Sequence, residues 1–155
     1  REFAEYVGVP YACGVNNGTS ALHLAMLALG VGEGDQVIVP ANTYIATAWG
    51  VSYTGAEPVF ADCRADTWEI DPEAAEKKIT SRTKGIIGVH LYGQPFDYAG
   101  IRQVAAWAVR GGGLRPGSRR QVQGKECGIS GGVGLFQLLS GEESLCVRGR
   151  RQRHL

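Results

Sequence analysis

Gly18, Thr19 and Ser20 fall between a short β-type run, YACGV (11–15), and the apolar-periodic run ALHLAMLALG. In that position they occupy the first turn of a helix, where backbone N–H groups lack intrahelical acceptors and the helix dipole is positive. Such an environment suits an anion. The two hydroxyls add donors, and glycine lets the backbone approach a phosphate closely. Helix capping by Thr19 or Ser20 is the competing account of the same residues. The stretch has neither the GK[ST] of a P-loop nor a GxGxxG fingerprint. Tyr44 lies just beyond QVIVP (36–40), where an aromatic face can stack on a flat cofactor ring or simply pack. His90 ends KGIIGVH (84–90), where it can donate to a ligand, although a lone histidine also serves structure. Asp62, ending PVFAD, either reaches a cleft or caps a loop. His23 reads as packing and Lys84 as a solvated side chain. No Ser–His–Asp arrangement and no metal-ligand spacing is visible, so no metal is expected.

The elements that must position these residues alternate along the chain. REFAEYVG reads as a short amphipathic helix, Phe3 and Tyr6 on one side and Glu2 and Glu5 on the other. YACGV is a strand candidate, and NNGTS turns into a helix whose stripe is Leu22, Met26 and Leu29, with Gly30 as its stop. QVIVP is a fully apolar strand, Thr43 to Thr54 a helix closed by Gly55, and EPVFAD the next strand. Asp71-Pro72 opens a helix to about Ile79, KGIIGVH is a β-branched strand, and LYGQP is a loop. Strand and helix in regular alternation predict an α/β fold, a mostly parallel sheet with helices on both faces. In such sheets ligands gather at the C-terminal ends of the strands, which is where all the candidates fall.

A length of 155 residues is one domain's worth. No apolar run is long enough for a membrane span, and none is expected. The chain opens on Arg1 without an initiator Met or signal-peptide pattern, and we read it as a fragment. Cys13, Cys63, Cys127 and Cys146 are scattered with no CxxC pair, as expected of a cytoplasmic protein. The net charge of +1 hides an asymmetry: residues 1–100 hold 6 Lys/Arg against 12 Asp/Glu, and residues 101–155 hold 10 against 3. A basic tail raises a nucleic-acid partner, but its only aromatics are Trp107 and Phe136 and it carries no nucleic-acid motif, so nucleic acid is not an expected partner.

The run from FAEYVGVPYACGVNNGTSALHLAMLALGVGEGDQVIVPANTYIATA, followed by PVFAD, IDP, ITSRTK and VHLYGQP, resembles the DegT/DnrJ/StrS family over residues 1–106. These are fold-type-I, pyridoxal 5'-phosphate-dependent aminotransferases acting mainly on nucleotide-linked keto-sugars. The resemblance implies that residues 1–106 are the N-terminal part of a cofactor-binding large domain, truncated here. It implies that Gly18, Thr19 and Ser20 hold the coenzyme phosphate, that Tyr44 supplies the ring stacked on the pyridine, and that His90 lies close to the cleft. It further implies an amino-acid donor such as glutamate and a homodimer when intact.

Beyond this point the chain departs from the family. The family places a strand resembling VEDAAQA next, whose Asp pairs with the pyridine nitrogen, then FSFYPGKNL, whose Lys binds the coenzyme covalently. Neither string is present, so the chain as written has no catalytic residue to assign. Within AWAVRGGGLRPGSRRQVQG (106–124) there are three consecutive glycines, four arginines and little apolar periodicity. Written as GGT GGA GGA CTG CGC CCA GGC, Gly111 to Gly117 reads V-E-D-C-A-Q-A from the second nucleotide. The same shift permits H-G-L across Ala106 to Val109 and C-F-S-F-Y-P-G-K-N-L across Leu135 to Leu145. Three family strings in order under one shift lead us to expect that residues 107–155 are a frameshifted, poorly ordered tail. A lysine-lacking dehydratase relative and a non-catalytic binding module with a basic tail are the other functional classes. A histidine in place of the lysine would mark the dehydratase, and none stands at Glu142–Glu143.

Overall fold

The computed structural model describes residues 2–6 and 11–110, and the frameshift expectation for residues 111–155 lies outside them. The described elements are α1 (Glu2–Tyr6), α2 (Gly18–Ala28), β1 (Gln36–Pro40), α3 (Ala46–Ser52), β2 (Glu57–Ala61), α4 (Pro72–Glu76), β3 (Thr83–Ile86), a 3₁₀ turn (Leu91–Gly93) and α5 (Tyr98–Arg110). The strands form one sheet in the order β2-β1-β3, with both pairings parallel. Helix α5 continues to Arg110, past the expected break at Ala106.

The central strand organises both layers. Side chains alternate across a strand, so QVIVP sends Val37 and Val39 to one face and Ile38 to the other. Val37 and Val39 join Ala25, Met26, Val31, Val51 and Ala56, the core beneath α2 and α3. Ile38 joins Ala61, Ile70, Ala75 and Ile101, the core beneath α4 and α5. Val37, Ile38 and Val39 are all but fully buried. Each contributes about 1.5–3 kcal/mol relative to an exposed position. This two-sided burial is why β1 reads as an unbroken apolar run.

Local chemistry fixes where α2 begins and ends. The Asn17 Oδ1 accepts the Ser20 N–H at 2.8 Å, with Asn17 itself in extended backbone, so Asn17 is the N-cap. Neither Thr19 nor Ser20 caps the helix; both lie inside it. At the other end Gly30, at φ 70°, donates to the Leu27 carbonyl while Val31 donates to that of Met26. This is a Schellman closure, with Val31 and Met26 sharing one core cluster.

Three elements differ from the sequence expectations. YACGV forms no strand: residues 11–17 are exposed and unpaired in any ladder. Helix α4, expected to reach about Ile79, stops at Glu76, after which Lys78 and Ile79 make i→i+3 bonds only. The strand expected over 84–90 spans Thr83–Ile86. The reason for the last lies in the neighbouring strand. The Gln36 N–H donates to the Arg82 carbonyl and the Ile38 carbonyl accepts from Ile87, both at 2.8 Å. Position 40 is next in that alternation, and Pro40 has no N–H to give. Pairing of β1 with β3 ends at Ile38–Ile86, whereas β1 with β2 runs on to Pro40–Ala61.

Candidate functional site

The connection Leu29–Asp35 joins the end of α2 to the start of β1, so α2 runs back against the strands and its N-terminus stands at their C-terminal edge. Helix α3, between β1 and β2, has the same direction. The two cross where a Cβ on Gly50 would sit 2.6 Å from the Leu22 Cβ, a contact only glycine permits. Leu22 and Gly50 each lie four positions beyond the first residue of their helix. The contact therefore sets the two N-termini level with each other.

Gly18 and Thr19 present backbone N–H groups that have no acceptor among the described residues, since Asn17 takes only that of Ser20. Because Asn17 does the capping, the Thr19 and Ser20 hydroxyls are free of that duty. Tyr44 stands in the loop between β1 and α3, with 62% of its surface exposed. Its carbonyl accepts the Thr47 N–H at 3.0 Å, which holds the loop at the helix start.

His90 follows β3, adjacent in the sheet to the strand that leads to Tyr44. Its Nδ1 accepts the Phe96 N–H at 3.3 Å, and its ring stacks on that of Phe96 with centroids 4.9 Å apart. Burial holds the imidazole below the usual histidine range. It is therefore neutral near pH 7 with its proton on Nε2, which leaves that N–H as a donor. Phe96 fits because position 88 is glycine; a Cβ there would run into the ring.

The topology thus brings Gly18, Thr19, Ser20, Tyr44 and His90 to one edge of the sheet. Asp62 is exposed, and its carbonyl receives the Asp71 N–H, a loop role. His23 packs edge-on against Tyr53. Lys84 lies at the opposite edge, 3.6 Å from Asp35, so it is paired as well as solvated. Sequence reasoning missed Asn17, Phe96 and Glu69. Glu69 is 3% exposed, with Oε1 lacking any hydrogen-bond partner; desolvation pushes its carboxyl up, partly offset by the Leu91 backbone N–H. Its only sequence signal is a carboxylate between Trp68 and Ile70, which does not announce burial.

The residues present fit a phosphorylated, planar coenzyme: unpaired N–H groups at a helix start, a free aromatic face and a neutral imidazole donor. They do not include a covalent anchor. Of the described lysines, Lys77 and Lys78 end α4 and Lys84 lies in β3, all toward the opposite edge. No group of three or more His, Cys, Asp or Glu among the described residues could hold a metal ion.

The chain is similar to sugar aminotransferases. The chain is 53% identical over 105 residues to GDP-perosamine synthase of Escherichia coli O157:H7, covering 68% of this chain and 29% of that protein. It is 40% identical over 149 residues to a dTDP-3-amino-3,4,6-trideoxy-alpha-D-glucose transaminase of Streptomyces venezuelae, covering 94% of this chain and 39% of that one. The solved structure of NtdA from Bacillus subtilis with bound cofactor PMP superposes with a TM-score of 0.65 at 38% identity, over 73% of this chain and 28% of that one. The architecture is that of fold-type-I pyridoxal-phosphate aminotransferases, of which this chain spans less than half. Residues 1–108 match the DegT/DnrJ/EryC1/StrS aminotransferase family, and the chain belongs to that family.

Proposed function

We propose that this chain is the phosphate-holding and ring-facing part of an aminotransferase that moves an amino group from an amino acid to a nucleotide-linked keto-sugar. The observation that carries it is the level pair of helix starts beside Tyr44 and His90. The Gly18 and Thr19 N–H groups and the α2 dipole hold the coenzyme phosphate, with the Thr19 and Ser20 hydroxyls as further donors. Tyr44 would supply an aromatic face for the ring, and His90 an Nε2–H donor. When bound, pyridoxal phosphate supplies an electron sink at the carbon that loses or gains the amino group.

As written, the chain does not turn over, because none of the described lysines stands at the edge where the coenzyme would bind. The family match ends at residue 108, two positions past the shift in composition, which supports an out-of-frame origin for residues 107–155. The in-frame protein is a homodimer in the cytoplasm. Cys13 and Cys63 are free thiols, and no helix among the described residues is long and apolar enough to cross a membrane.

Sequencing the coding DNA through codons 100 to 155 tests this reading. The expected result is a single-base change that restores VEDCAQA and FSFYPGKNL, and a repaired protein that binds pyridoxal phosphate covalently and aminates a nucleotide-linked keto-sugar. A shifted frame that encodes neither string overturns the assignment of the tail. A repaired protein that binds no coenzyme overturns the assignment of the site.

A further inference from the structure

Two non-glycine residues among the described residues adopt left-handed backbone, Trp68 at φ 62° and Tyr92 at φ 53°. That conformation is unfavourable for bulky side chains and persists where surrounding structure enforces it. Both residues are aromatic, and both rings face solvent, at 62% and 80% exposure. Core packing therefore explains neither. They sit on separate loops, Trp68 between β2 and α4 and Tyr92 just after His90, yet both loops leave the C-terminal edge of the sheet.

Core packing brings the loops together. Ile70, two residues after Trp68, is buried in one cluster with Ile101, and Phe96, whose ring stacks on His90 two residues before Tyr92, packs against that cluster. Each turn is also closed internally: the Trp68 N–H donates to the Arg64 carbonyl and the Gln94 N–H to that of Leu91, both at 2.9 Å. Two rings are thus held out from neighbouring turns at the edge that carries the coenzyme residues. Aromatic faces fixed in this way suit a flat, electron-poor ring, and stacking tolerates different bases because each has a π-face.

We propose that Trp68 and Tyr92 form a stacking site for a planar heteroaromatic ring, the nucleobase of a nucleotide-linked substrate. This rests on the amino-transfer reading, which supplies such a substrate. Tyr92 lies two positions from His90, so a base held there leaves the linked sugar on the coenzyme side.

The test is equilibrium dialysis of the 155-residue chain with GDP, and with inorganic pyrophosphate as a probe without a ring. GDP is expected to bind more tightly than pyrophosphate. Trp68→Leu and Tyr92→Leu should each weaken GDP by about tenfold and leave pyrophosphate unchanged. Trp68→Phe and Tyr92→Phe, which keep a ring, should retain GDP and guard against loss through misfolding. Equal binding of GDP and pyrophosphate, leucine variants that bind GDP as the parent does, or no GDP binding at all would overturn the proposal. Pyridoxal phosphate binding measured on the same samples separates the two readings: its loss with GDP binding intact condemns the coenzyme site alone.

Discussion

The two edges of the β-sheet are built on opposite terms. At the N-terminal edge the polar groups around Gln36 and Asp35 are paired within the protein. Gln36, 5% exposed, donates from Nε2 to Glu57 at 2.8 Å and accepts from the Thr80 hydroxyl at 2.5 Å. Arg82 pairs with Glu57 at 3.0 Å, Lys84 with Asp35 at 3.6 Å, and the Gly32 N–H reaches Asp35 at 3.1 Å. One buried amide thus ties β2, β1 and the approach to β3. At the C-terminal edge the Gly18 and Thr19 N–H groups have no partner among the described residues, three aromatic rings face solvent and a buried carboxylate keeps an orphan oxygen. Unmet polar capacity is costly in a fold and useful only to a ligand. The contrast separates what holds the sheet from what the sheet holds out.

The strongest challenge to this separation is a residue that serves both edges. Gly50→Val places new atoms against Leu22, where the first Cβ already meets that side chain at 2.6 Å and the His23 nitrogen at 3.3 Å. A loss of about 2–3 kcal/mol in denaturant unfolding is expected, together with loss of phosphate binding as the helix starts move apart. Stability lost with binding intact would refute the levelling role of that contact.

Gly18→Pro should separate the edges cleanly. Proline suits the first helical position but removes one N–H. Pyridoxal phosphate affinity should fall by about tenfold in a dialysis assay while the thermal midpoint holds or rises. Gln36→Leu is the mirror experiment: about 1 kcal/mol of stability lost with coenzyme affinity unchanged, since Glu57 keeps Arg82.

Glu69 gives the smallest effect, read against pH. Its folded-state carboxyl lies above its unfolded value, so its contribution is fully present below the unfolded pKa and fades as pH rises through the folded one. Between pH 4 and 7 the parent should lose stability slightly relative to Glu69→Gln, and the two should converge in acid. A parent curve parallel to that of the variant would rule out desolvation of this group.

Much of this was legible in the chain because it is local. QVIVP announces a strand buried on both faces, and Met26, Leu27, Gly30 and Val31 supply a helix stop within six residues. The three site regions follow from strand ends alone. What could not be read depends on partners distant in sequence. YACGV has strand-forming residues but no neighbouring ladder, and Tyr11 and Val15 are exposed as a result. NNGTS offers several capping residues in a row, and only the extended backbone of Asn17 selects among them. Glu69 is buried, and the backbone that offsets its desolvation, at Leu91, is more than twenty residues away.

Pro40 also bears on how such an enzyme can vary. Within a ladder, inserting one residue flips every following side chain to the opposite face. Pairing with β3 ends at Ile86, the Ile87 N–H makes the following bond to β1, and Phe96 packs back on the lower core, so only the residues between, 89–95, carry no register. The stretch bearing His90 and Tyr92 can therefore change sequence or length over a framework that stays constant.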